Sequence, residues 1–170
     1  HLNSGLCLAY GFNHRQHDSI IHVKRLVDDK ALGEVLWIRS RYGKEVDESY
    51  RENWRSNPKL NGGGILIDQG IHAIDLVNYI AGPFTECQAL LSSKYLGIAG
   101  CEDNAFVHLH GDNGISCSIH STITQWRYLF SLEIFCARGS IILNGLKTTS
   151  GNYGPEILSV KGSKLCPTHN

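Results

Sequence analysis

Gly62-Gly63-Gly64-Ile65-Leu66-Ile67-Asp68-Gln69-Gly70-Ile71-His72-Ala73-Ile74-Asp75 decides how the rest of the chain is read. Three glycines open an apolar segment that carries three ionisable side chains. On a helix, Asp68 and His72 stand four apart and Asp75 three further on, so the spacing predicts that all three project from one face. An Asp–His pair on an otherwise buried helix suits proton transfer. The imidazole titrates near neutral pH, and a carboxylate one turn away can orient it and raise its basicity. The competing reading is structural: Asp68 braces the glycine turn and Asp75 faces a backbone amide. The glycine run favours the first, because Gly62, Gly63 and Gly64 let the backbone approach something closely or take up positive φ.

Working outward, residues 6–12 are apolar on both faces and read as a buried strand. In 18–30, Ile20, Ile21, Val23, Leu26 and Val27 recur at three-and-four spacing, an amphipathic helix. Gly33 ends that turn, and 34–42 is a strand. Residues 44–61 are polar, with Trp54 as the large anchor, and read as a long functional loop. The central helix runs to about Ala81 and stops at Gly82-Pro83. Beyond it, 84–93, 105–110, 115–124, 129–137 and 140–144 read as strands, with turns at 111–114 and Arg138-Gly139. The expected class is α+β: a large, mostly antiparallel sheet with helices packed on one face. The tail from Thr148 is rich in Gly, Ser and Pro and reads as loosely held.

The chain has 170 residues, enough for a real core, and 16 basic residues balance 16 acidic ones. A balanced charge implies no nucleic-acid partner. No apolar run reaches a membrane span, and the N-terminus lacks a basic-then-apolar leader. The six cysteines, Cys7, Cys87, Cys101, Cys117, Cys136 and Cys166, form no C-x-x-C pair. They read as buried reduced thiols of a cytoplasmic protein, with a disulfide frame as the alternative.

His108, His110 and His120 raise the question of a zinc site. If the hairpin closes over 111–114, His120 pairs near Asn104 or Ala105. That lies three or four residues along from His108, about 10 Å at about 3.3 Å per residue, too far for shared ligation. No metal is therefore expected. Ser116, Ser118, His120, Thr122 and Thr124 alternate onto one strand face, and Ile115, Cys117, Ile119 and Ile123 onto the other. The apolar face should cover the helices; the polar face is either wet or an oligomer interface.

The glycine-led stretch resembles the signature of the glucose–fructose oxidoreductase and inositol dehydrogenase family, Gfo/Idh/MocA. Gly62, Gly63, Gly64, Asp68, Gly70, His72 and Asp75 fill every fixed position of Gly-Gly-Gly-x-x-x-Asp-x-Gly-x-His-x-x-Asp. The flanks match in order. Tyr10-Gly11-Phe12-Asn13-His14-Arg15 looks like the family's crossover strand, and Ala31-Leu32-Gly33-Glu34-Val35 like its helix-to-strand turn. Trp54-Arg55 and Asn57-Pro58 look like the loop before the glycines, and Glu102-Asp103-Asn104-Ala105 like the opening of a strand of its large sheet. The resemblance covers about residues 6–146.

That resemblance implies a dihydrodipicolinate-reductase-like C-terminal domain. It also exposes a departure. The family's Rossmann domain carries a Gly-x-Gly-x-x-Gly turn and a Glu-Lys-Pro motif with a catalytic lysine; this chain has neither, and no Lys precedes Pro. Residues 1–14 then read as the last strand and crossover of a missing Rossmann domain, and 15–170 as the substrate and oligomerisation domain. The expectation is the substrate-binding and catalytic half of an NAD- or NADP-dependent oxidoreductase, inactive alone. It would act on a secondary alcohol of a sugar, sugar nucleotide or cyclitol, with biliverdin-like molecules also within the family's range. The resemblance makes His72 the base and Asp68 its orienting partner. Arg15, Trp54, Arg55 and Asp75 become substrate contacts, with Arg55 also near the cofactor. It favours a homo-oligomer through the polar sheet face. Two rivals stand beside it: a metal-dependent hydrolase using Asp68, His72 and Asp75, and a non-catalytic assembly domain.

Overall fold

The computed structural model describes residues 5–7 and 11–162. The expected strand over 6–12 has its centre, 8–10, outside the described residues. Its described flanks are not strand, and Leu6 and Phe12 are exposed. A 3-10 turn, Asn13–Gln16, leads into α1, Asp18–Asp28. Asp18 stands in the first turn, where the helix dipole favours a carboxylate, and Ile20 and Val23 are fully buried.

The remaining elements are β1, Val35–Gly43; α2, Pro58–Asn61; α3, Ile71–Ala81; β2, Glu86–Ser92; β3, Asn104–His110; β4, Ser116–Thr122; β5, Leu129–Cys136; β6, Gly139–Asn144; and β7, Ile157–Gly162. The seven strands form one sheet in the order β2-β3-β4-β1-β5-β6-β7. β1 runs parallel to β4, and every other neighbouring pair is antiparallel. The expected α+β class is what the chain adopts.

Alternation along the strands separates two faces. The inner face presents Ile38 and Tyr42, Val107, Cys117 and Ile119, Phe130, Leu132 and Ile134, and Ile141 and Leu143. These meet Ile20 and Val23 of α1 and Ala73, Leu76, Val77 and Ile80 of α3. Each large aliphatic so buried contributes on the order of 1.5–3 kcal/mol. A second cluster, Ile65, Leu96, Cys101, Ala105 and Ile123, seats the start of the glycine-led helix against β3 and the exit of β4. Gly82, at φ 88°, ends α3, its N–H donating to the Asn78 carbonyl. The Asn113 side chain of the β3–β4 turn donates to the Ala81 carbonyl and docks the hairpin on that end.

Four expectations need correcting. The tail is tied down as far as Gly162: it supplies β7, and Glu156 accepts from Ser19 Oγ at 2.6 Å and from the Lys147 amide at 2.9 Å and pairs with His17. The 44–61 loop is not anchored by Trp54, which is exposed. It is a chain of short turns whose caps, Asp47, Asn53 and Asn57, each accept from the amide two residues on. Arg51 pins the loop to the Tyr95 and Leu96 carbonyls. Among the described cysteines, all free, Cys101, Cys117 and Cys136 are buried but Cys7 and Cys87 are exposed. His120 pairs with Phe106, not Asn104 or Ala105, and stacks on its ring at 4.1 Å.

Candidate functional site

The glycine run makes its close approach to the chain's own backbone. Gly62 takes φ 81° to close α2. A Cβ on Gly64 would overlap the backbone of Glu102. Glu102 caps the helix entry: its carboxylate accepts from the Gly64 and Leu66 amides at 2.9 Å each, and its carbonyl from the Ile65 amide at 2.9 Å. Gly70 fits where a Cβ would strike Leu66 and the Ser121 hydroxyl, so the helix lies close on β4.

Between the glycines and α3 the backbone forms a π turn, Leu66–Gly70. Such an insertion changes the angular offset between residues on either side of it. The three ionisable groups accordingly part company. Asp68 turns to two cations: Lys44 Nζ donates to one oxygen at 2.5 Å and Arg55 Nε to the other at 3.0 Å. Asp75, buried, holds Arg15 through a bidentate pair, with Nε at 2.7 Å and the second N–H closing the fork. None of the described hydrogen bonds joins Asp68 to His72.

His72 instead lies against rings. The His14 ring stacks on it with centroids 4.3 Å apart and 27° between planes, and Phe12 meets it edge-on at 5.9 Å. Its Nδ1 is buried and has no hydrogen-bond partner among the described residues. Burial pushes the His72 pKa below the ordinary imidazole value, against the opposing pull of Asp75 and Asp68. The imidazole is therefore neutral at pH 7, the form that accepts a proton.

His72, Asp68, Lys44, Arg55, Gln69, Asn53, Tyr42, Tyr50 and Tyr128 are on the wall of a cavity of about 700 Å³. Burial pushes the Tyr42 phenol up to about 12 and also raises Tyr50, so both remain protonated donors. A base, two cations, three carboxylates (Asp68 with Glu45 and Asp47) and several neutral donors and acceptors suit a small, hydroxyl-rich ligand.

A model of the GFO/IDH/MocA C-terminal domain matches residues 20–142. The chain belongs to this family. A levoglucosan dehydrogenase of Pseudarthrobacter phenanthrenivorans is 30% identical over 84 residues, covering 48% of this chain and 22% of the relative. An inositol 2-dehydrogenase of Rhizobium meliloti is 26% identical over an alignment of 170 positions, covering 96% of this chain and 48% of the relative. The chain thus spans less than half the length of these relatives. Among solved structures, a levoglucosan dehydrogenase in complex with NADH superposes with a TM-score of 0.73 at 23% identity, over 89% of this chain and 46% of that one.

Of the residues singled out by sequence, the fold brings His72, Asp68 and Arg55 to one cavity wall. Arg15 and Asp75 lie off that wall, held by each other. Trp54 lines a separate pocket, with the Arg55 guanidinium 4.4 Å over its ring. Lys44, Gln69 and His14 were missed. Gln69 lay inside the signature and could have been found there. His14 lay inside the crossover match, but its partner is 58 residues away, and Lys44, 24 residues from its partner, carried no local signal.

The metal-hydrolase rival lacks support: both carboxylates it needs are paired with cations, Asp68 with Lys44 and Arg55 and Asp75 with Arg15. Among the described residues no group of three or more His, Cys, Asp or Glu is placed to hold a metal ion.

Proposed function

We propose that this chain is the substrate-binding and catalytic half of an NAD- or NADP-dependent oxidoreductase acting on a secondary alcohol of a sugar, sugar nucleotide or cyclitol. The observation that carries the reading is the neutral imidazole of His72 on the wall of a polar cavity, beside Asp68 and its two cations. Both curated relatives are dehydrogenases, which lends the assembly-only rival no support.

In this reading His72 takes the hydroxyl proton of the substrate. Lys44 and Arg55 hold Asp68 in place, and its carboxylate accepts from a neighbouring substrate hydroxyl. Asn53, Gln69 and the tyrosines fix the ring of the ligand by further hydrogen bonds. A bound nicotinamide supplies the hydride acceptor. Arg55 would contact it from this chain, and the dinucleotide grip would come from a Rossmann domain. The test is the full-length protein, assayed with both cofactors against sugars, cyclitols and sugar nucleotides. Reduction of the cofactor by at least one such alcohol supports the reading; inactivity with all of them contradicts it.

We also infer self-association through the outer sheet face. Leu90, Phe106, His120 and Arg41 form one cross-strand row on it. Leu90 is 75% and Phe106 44% exposed, and Trp37, stacked on Phe135, is 40% exposed. The face is not the uncharged one expected from β4 alone: Arg39 and Arg41 converge on Glu133. Exposed apolar side chains beside arginines suit a protein interface.

A further inference from the structure

We propose that His14 is a positioning residue for His72: its ring, stacked on the His72 ring, holds that imidazole in orientation and keeps water from it. The proposal rests on the reading of His72 as the base.

An imidazole in an active site usually owes its orientation to a hydrogen bond on the nitrogen away from the substrate. Among the described residues, His72 has no such bond at Nδ1. The two carboxylates whose charges act on it are both committed, Asp68 to Lys44 and Arg55 and Asp75 to Arg15. Among the described residues, the rings against His72 are His14, face to face, and Phe12, edge-on.

His14 is itself firmly placed. It is buried. Its Nδ1 lies 3.0 Å from Asn13 Oδ1 and its Nε2 3.2 Å from the Tyr42 hydroxyl. Tyr42 is on the cavity wall and Tyr153 bonds to it. The Tyr153 hydroxyl in turn accepts from Gln69, another wall residue, at 2.7 Å. The network therefore runs from the cavity to the far side of the stacked ring without a charged member.

Two stacked imidazoles cannot both be protonated at low cost. Burial, then His72 and His17, bring the His14 pKa down to about 4, with Asp75 and Glu156 opposing. His14 is thus a neutral aromatic lid throughout the neutral range. The charged and titratable groups facing the pair are His17, Tyr42, Asp75 and Glu156 around His14, and Asp68 and Asp75 around His72.

The test uses the full-length protein with His14→Ala and His14→Phe. Removing the ring admits water, so the acid limb of the kcat/KM profile, below about 6.5 in the parent, should move up toward the free imidazole value of about 6.5. Loss of orientation should lower kcat by about 10- to 100-fold, with cofactor affinity unchanged. His14→Phe keeps the flat ring and should restore both the limb and most of the rate. A parent-like limb and rate in His14→Ala would overturn the proposal, as would a Phe variant as impaired as the Ala variant. If His14→Ala does not fold, titration of His72 by NMR in the parent and in His14→Phe decides. Values below about 6.5 in both are expected, and a value at or above about 6.5 in the parent overturns the proposal. Near-parent turnover in His72→Ala would remove the base assignment itself. Loss of turnover there, with parent behaviour in His14→Ala, would remove only the role of His14.

Discussion

Gly64 lies against Glu102, 38 residues away, so closely that no side chain fits between them: its amide donates to the Glu102 carboxylate at 2.9 Å, and a Cβ would overlap the Glu102 carbonyl and amide. The relation is a helix cap supplied from a distant loop, and it sets where the helix bearing Asp68 and His72 begins. Gly64→Ala must push the loop away, and overpacking of this kind costs about 1–3 kcal/mol. Glu102→Ala leaves the Gly64 and Leu66 amides without their acceptor, a loss of about 1–3 kcal/mol for each one that stays buried. Urea midpoints should fall for both, and less for Glu102→Gln. An unchanged midpoint in Gly64→Ala would show that the close approach is not needed.

The buried imidazoles make stability depend on pH with a definite sign. The folded state holds His14 at about 4 and His72 also below the ordinary value of about 6.5, so below that value the unfolded chain binds protons that the folded chain does not, down to about 4 for His14. Stability is therefore complete above about pH 6.5 and falls as pH drops through this window, by at most about 1.4 kcal/mol per pH unit for each group. Glu156 adds to the loss lower down. Burial raises its carboxyl, but bonds from Ser19, the Lys147 amide and His17 outweigh that and hold it below the usual range. Its contribution is present above its unfolded value and lost as pH falls through the folded one. Urea unfolding at about pH 7 and about pH 5 should show the decline, and His14→Phe should flatten it. Equal stability at the two values in the parent would contradict the neutral-pair account.

The outer face yields a contrast between two lysine substitutions. Thr122 is 2% exposed, and its hydroxyl accepts from the Thr124 amide at 2.9 Å, so Thr122→Lys should destabilise the fold itself. Phe106→Lys, in the exposed row, should leave the urea midpoint within about 0.5 kcal/mol of the parent and weaken self-association. Light scattering of the full-length protein checks both. An assembly unmoved by Phe106→Lys would place the interface elsewhere.

Much of the fold was legible in the residues. Alternation along 115–124 and the turn at 111–114 located β3 and β4, and Gly82-Pro83 marked the end of α3. What escaped has identifiable physical reasons. β7 is an edge strand exposed along most of its length, so Ile157–Gly162 shows no buried face to alternate against. The π turn is a backbone slip with no composition of its own, yet it directs Asp68 to Lys44 and Arg55 and not to His72. Of the site, the signature located His72 and Asp68 on the helix. It could not locate Lys44, which follows β1, or His14, which precedes α1, because tertiary packing alone brings them there.

The central claim is that His72 is the proton acceptor in alcohol oxidation, and His72→Ala in the full-length protein tests it most directly. Loss of a general base costs about 10²–10⁴-fold in rate. Turnover with the alcohol substrate is predicted to fall by that factor while the affinity for the nicotinamide cofactor stays close to that of the parent. Near-parent turnover in His72→Ala would contradict the account and return His72 to a packing role beside His14.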